Sequence, residues 1–111
     1  MQVKDILNSL SLKVFSGEAG LTNEVRGGYV SDLLSDVMGH ADAGSVWITL
    51  QNHKNVMAIA SLKEIAAVIL VKGIEPEADT AAQSNQEGIP VLVTSEATFD
   101  VAGKLYQLLN E

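Results

Sequence analysis

Ala66-Ala67-Val68-Ile69-Leu70-Val71-Lys72-Gly73 decides the fold. From Ala66 to Val71 every side chain is apolar, which suits a central strand of a parallel sheet buried on both faces rather than a strand with one wet side. Two further short apolar runs flank it, Val46 to Leu50 and Pro90 to Val93, separated from it by stretches of helical character. Parallel neighbours cannot be joined by a tight hairpin, so strands spaced by crossover-length helices read as βαβ units. The expected class is α/β, with a mainly parallel sheet.

Working outward, His53 to Leu62 reads as the helix between the first two of these strands, with Val56, Met57, Ile59 and Ala60 leaving it little polar surface. Such a helix is expected to pack on the sheet on one side and to be partly buried on the other, at a dimer contact. After Gly73, Pro76 suits a first helical turn, and a polar helix runs to Gln86, stopped by Gly88. Phe99, Val101, Ala102, Leu105, Tyr106 and Leu109 build a closing amphipathic helix.

Toward the start, Val3, Ile6, Leu7 and Leu10 recur at helical spacing over Val3 to Ser9. Leu12 to Phe15 alternates like a strand, and Gly17 to Gly20 is a turn. Glu24 to Val30 reads as a second strand, in which Gly27-Gly28 predicts a bulge or a close backbone approach. Ser31 is placed to cap a helix reaching Met38, with Asp32 in its first turn and Gly39 ending it. Leu33, Leu34, Val37 and Met38 form its apolar stripe, which must meet the sheet or another subunit.

The chain has 111 residues, no cysteine, seven basic and fourteen acidic side chains, and a net charge of −7. One domain spanning residues 1–111 is the expectation for this length. Between Lys72 and Lys104 stand Glu75, Glu77, Asp79, Glu87, Glu96 and Asp100 with no lysine or arginine. Nucleic-acid and anionic-membrane binding both depend on cationic surface, so neither partner is expected. The longest unbroken apolar stretch, Ile65 to Val71, is far short of the roughly 20 residues of a membrane helix. With no secretion signal and no cysteine, a cytoplasmic protein is expected.

The best candidate for ligand contact is the polar loop Gln51-Asn52-His53-Lys54 between a strand and a helix, where open α/β sheets bind ligands and where helix N–H groups favour an anion. Lys72 and Gly73 end the next strand. Arg26, the only arginine, lies beside Gly27-Gly28, free to offer a bidentate fork or to pair with Glu24 or Asp32. Asp32, Asp36 and His40 stand at i, i+4 and i+8, a spacing that fits a solvated helix face far better than a metal or acid–base site. No P-loop, Gly-x-Ser-x-Gly elbow or Gly-x-Gly-x-x-Gly occurs. Ser61 and Ser95 lack a histidine partner. No catalytic residue, metal ligand or cofactor is expected.

The run from Ala66 to Gly73, followed by Glu75-Pro76, Gly88-Ile89-Pro90-Val91-Leu92-Val93-Thr94 and Thr98-Phe99, resembles the DRTGG domain. That family is related to the amino-terminal domain of HPr kinase/phosphorylase and accompanies CBS domains in some pyrophosphatases and phosphotransacetylases. Gly27 to Met38 and Trp47 to Asn55 resemble a small stand-alone branch found in anaerobic bacteria. His53-Lys54 stands where the naming motif has Asp-Arg, and Val71-Lys72-Gly73 where it has Thr-Gly-Gly, so the fold carries over more safely than any ligand. The resemblance implies a three-layer α/β/α domain of the MurF and HPr kinase amino-terminal type, which regulates or assembles without catalysing. A homodimer is the expected assembly, with a further protein partner in a bacterial signalling or metabolic system. The alternative is a sensor of a nucleotide or phosphorylated metabolite.

Overall fold

A computed structural model describes all 111 residues. Five strands form one sheet in the order β1-β5-β4-β3-β2: β1 Lys13–Ser16, β2 Gly27–Val30, β3 Ser45–Thr49, β4 Ala67–Leu70 and β5 Val91–Val93. β2, β3, β4 and β5 run parallel, and β1 joins β5 antiparallel. The helices are α1 Val3–Ser9, α2 Leu34–His40, α3 Asn55–Leu62, α4 Ala78–Glu87 and α5 Thr98–Leu109.

Side chains alternate across each strand, so a strand apolar at every position feeds two cores. Val46, Ile48, Ala67, Ile69 and Leu92 point to one face, where they meet Val3 and Ile6 of α1 and Val101 and Leu105 of α5. Trp47, Val68, Leu70 and Val91 point to the other, against Val37 of α2 and Val56, Met57, Ile59 and Ala60 of α3. Helices on both faces make the expected three-layer α/β/α sandwich with a mainly parallel sheet.

Several local expectations are corrected. The Gly27-Gly28 pair makes no bulge: β2 keeps an unbroken register with β3 from Gly27 opposite Ser45 to Val30 opposite Ile48. The irregularity lies in β1, between Val14 and Ser16. The close approach does occur, since a Cβ on Gly28 would sit 3.1 Å from Cδ2 of Leu105. α2 begins at Leu34 rather than at Ser31, and it includes Gly39 and His40. Ser31 instead accepts the Leu33 N–H on its hydroxyl at 3.1 Å, while its carbonyl takes the indole N–H of buried Trp47 at 2.8 Å. That second bond lets the largest core side chain be buried without an orphan donor.

α3 begins at Asn55, with His53 and Lys54 in the turn ahead of it. Val56, Met57, Ile59 and Ala60 are covered by this same chain, so they are core and not a dimer contact, while Leu62 at its end is exposed. Of the α2 stripe only Val37 is buried; Leu33 and Met38 are exposed. Pro76 lies two residues ahead of α4, which ends on Gly88 in the left-handed region at φ 66°.

The antiparallel edge strand β1 is held to α4 by a small polar relay in the core. The Ser16 hydroxyl donates to Ser84 Oγ at 2.9 Å, and Ser84 donates to the Ile89 carbonyl at 2.6 Å. Ser84 is completely buried. Ser84→Ala leaves both partners without water or replacement, so it is expected to lower stability by about 1–3 kcal/mol. The urea midpoint should fall with an unchanged m value.

Candidate functional site

In an open parallel sheet, the loops at the carboxyl ends of the strands converge on one edge of the molecule. Here they are Ser31 to Leu33 after β2, Leu50 to Lys54 after β3, Lys72 to Glu77 after β4 and Thr94 to Ala97 after β5. Gln51, Asn52, His53, Lys54, Lys72 and Gly73 all come to this edge. Arg26 does not: it precedes β2 and sits at the opposite end of the sheet, about 15 Å away by the rise of the intervening strand. Its aliphatic stem lies across Gly44, whose Cβ would fall 2.9 Å from Arg26 Cγ. Neither expected carboxylate pairs with it, because Glu24 faces the Met1 amino group at 3.5 Å and Asp32 is occupied elsewhere.

Asp32 is the clamp of the edge. Its Oδ1 accepts the Thr49 hydroxyl at 2.9 Å and the Leu50 N–H at 2.7 Å, while its carbonyl accepts the Gln51 side-chain amide at 3.0 Å. Asn52 continues the stitching, donating its amide to the Glu75 carbonyl at 2.7 Å and accepting the Glu77 N–H on its own carbonyl at 3.1 Å. Lys72 and Gly73, both at positive φ, hold the next loop through N–H bonds to the Glu96 and Thr94 carbonyls. The polar side chains Gln51 and Asn52 are therefore spent on joining loops. Lys54 and Lys72 are exposed and make no ion pair.

The edge is a platform with no recess: none of the surface concavities is lined by Gln51 to Lys54 or by Lys72 and Gly73. The most apolar concavity, of about 390 Å³, lies instead between α5 and β2, lined by Gly28, Val30, Ile48, Phe99, Tyr106, Leu109 and their neighbours. Sequence reading placed Phe99 and Tyr106 with the core of α5. A signal was present, since residues 99, 102, 106 and 109 form a stripe offset from the buried one at 101 and 105.

The Asp32, Asp36 and His40 series does not hold together. Asp32 leaves for β3, and Asp36 instead accepts the Tyr29 hydroxyl at 2.8 Å while His40 Nδ1 lies 3.3 Å from its other oxygen. The Tyr29 hydrogen bond, then one from Ser31, holds the Asp36 carboxyl below its ordinary range. The same bond, with desolvation and the carboxylate charge behind it, pushes the Tyr29 hydroxyl up. Glu96, 2.6 Å from Lys104, raises that ammonium in the same manner. Each pair is an anchor on the surface, tying β2 to α2 or the β5–α5 loop to α5.

The chain is thus a three-layer α/β/α domain whose strand-end loops are braced to one another. The DRTGG domain family model matches residues 5–108, and the chain belongs to that family. Among solved structures it is similar to the CBS and DRTGG domains of the regulatory region of Clostridium perfringens pyrophosphatase, complexed with the activator diadenosine tetraphosphate. The two superpose with a TM-score of 0.75 at 16% identity, over 96% of this chain and 46% of that one. The chain thus spans under half the length of that structure. No curated protein matches it in sequence. No helix is long and apolar enough to cross a membrane.

Two outcomes follow from this geometry. Asp32→Ala deprives the Thr49 hydroxyl and the Leu50 N–H of their acceptor, and it should cost about 1–2 kcal/mol in denaturant melts, water replacing part of the loss at this exposed position. Asp36 has its carboxyl lowered in the folded chain, so its stabilising contribution is present above the ordinary value of 3.8 and is lost as pH falls through the lowered one. The melting-temperature gap between wild type and Asp36→Asn should be open at pH 7 and close in strong acid.

Proposed function

We propose that the chain is a non-catalytic regulatory or scaffolding module of a bacterial signalling or metabolic system, working in the cytoplasm as a homo-oligomer. Its 111 residues act as one DRTGG domain. The observation that carries this reading is the use made of the strand-end loops. Where an α/β enzyme leaves nucleophiles and bases free, Asp32, Gln51 and Asn52 are each bonded to a neighbouring loop. No serine or threonine hydroxyl there is hydrogen-bonded to a histidine, the pairing that activates a hydrolase nucleophile, and Thr49 and Thr94 are bonded within these loops. Membership of a family whose similar solved structure is described as a regulatory region supports the same reading.

A second reading has its own support. Lys54 and Lys72 are unpaired cations on the ligand-binding edge of the sheet, and the similar regulatory region was solved with a dinucleotide activator. On this reading His53, Lys54, Lys72 and Gly73 meet the phosphates of a nucleotide or phosphorylated metabolite, with Gln51 and Asn52 holding the loop. Arg26 takes no part.

Thermal denaturation with inorganic phosphate, ATP and diadenosine tetraphosphate separates the two. A ligand at a hundredfold excess over its dissociation constant stabilises by about 2.7 kcal/mol. The sensor reading expects that gain, and expects Lys54→Ala combined with Lys72→Ala to abolish it. A melting temperature unmoved by all three leaves the assembling module. Turnover of any of them that disappears in His53→Ala would refute both.

A further inference from the structure

The groove between α5 and β2 is the most apolar concavity of the molecule, yet it belongs to none of the loops at the ligand edge. Phe99 is 87% exposed, Tyr106 72% and Val30 50%, side by side along it. Each aromatic side chain offers about 150–250 Å². With Val30 and Leu109 the patch comes to roughly 400 Å², close to the apolar share of the roughly 800 Å² that each partner contributes to a standard interface.

None of the residues lining this groove is charged, on a chain with a net charge of −7. In a two-fold contact a carboxylate near the axis faces its own copy, and like charges across an interface cost several kcal/mol. Here the two copies meet neutral surface.

The sheet edges make the same point. β1 carries Lys13 and an irregular register, two of the devices by which an edge strand resists pairing. β2 has neither: Gly27-Gly28-Tyr29-Val30 is regular, uncharged and free of proline. Ser31 N–H bonds to the Ile48 carbonyl, so by alternation in a parallel ladder Gly27 and Tyr29 face β3 and the N–H and C=O of Gly28 and Val30 turn outward. The edge is closed below by Met1, whose carbonyl accepts the Val25 N–H. What is left open is the length of β2 itself.

We propose that this face joins two copies of the chain. β2 pairs antiparallel with β2 of the second copy about a two-fold axis, making one continuous sheet, and Phe99 and Tyr106 of each copy enter the groove of the other. Such a contact uses the same patch on both sides, so it closes at the dimer. The proposal rests on the homo-oligomer reading and names its interface.

Sedimentation equilibrium of the whole chain should give a dimer, and amide exchange at Gly28 and Val30 should slow as concentration rises. Val30→Glu with Phe99→Glu should weaken dimerisation at least a hundredfold, and Tyr106→Glu serves the same purpose if that pair impairs folding. Leu62→Glu, at a residue 67% exposed on the opposite layer, should leave it unchanged. A dimer that survives the groove variants, or one that Leu62→Glu dissociates, overturns this interface and spares the oligomer reading. A wild-type chain that is monomeric at every concentration overturns both.

Discussion

Burial of β3 and β4 on both faces is the constraint on which the rest of the molecule depends. Every side chain from Ser45 to Thr49 and from Ala67 to Leu70 is buried. Neither strand has a polar face to offer water, so each layer of helices is obligatory. Burial of a large apolar side chain contributes roughly 1.5–3 kcal/mol, so exposing either face would remove several such contributions from a fold whose net stability is only about 5–15 kcal/mol. α1 and α5 close one side and α2, α3 and α4 the other, which leaves chemistry nowhere to sit but the loop edge and the rims.

At the loop edge, double-sided burial has a second consequence. Buried strands end in backbone groups that still need partners, and short crossovers give little room to find them. Asp32 and Asn52 answer that need, one joining β2 to β3 and the other joining the β3 loop to the segment that enters α4. A carboxylate and an amide that look available in the sequence are thus consumed as braces. The cations beside them, Lys54 and Lys72, keep their freedom because ammonium groups on long stems reach water easily.

The rim between α5 and β2 follows from where the sheet stops. α5 packs Leu105 over Gly28, the one strand position there without a side chain to hold it off. The stripe of α5 that carries Phe99 and Tyr106 then overhangs the last strand, with no further strand beneath it. An apolar overhang and an unpaired strand edge occur together because both mark the same boundary.

Local pattern alone determined the layers. The apolar run at 66–71, its two companions and the helical spacing between them specify a parallel sheet covered on both sides, because periodicity and burial are properties of neighbouring residues. The same holds for Gly88 as a helix stop and for α1, found over Val3–Ser9 as expected. Tertiary structure decided what the pattern left open. That Arg26 lies at the far end of the sheet from Lys72, that Asp32 turns to β3 instead of to its own helix, and that α3 is covered within the chain all depend on strand order. So does the exposure of Phe99 and Tyr106. Strand order is set by contacts between residues far apart in sequence, which no local spacing encodes.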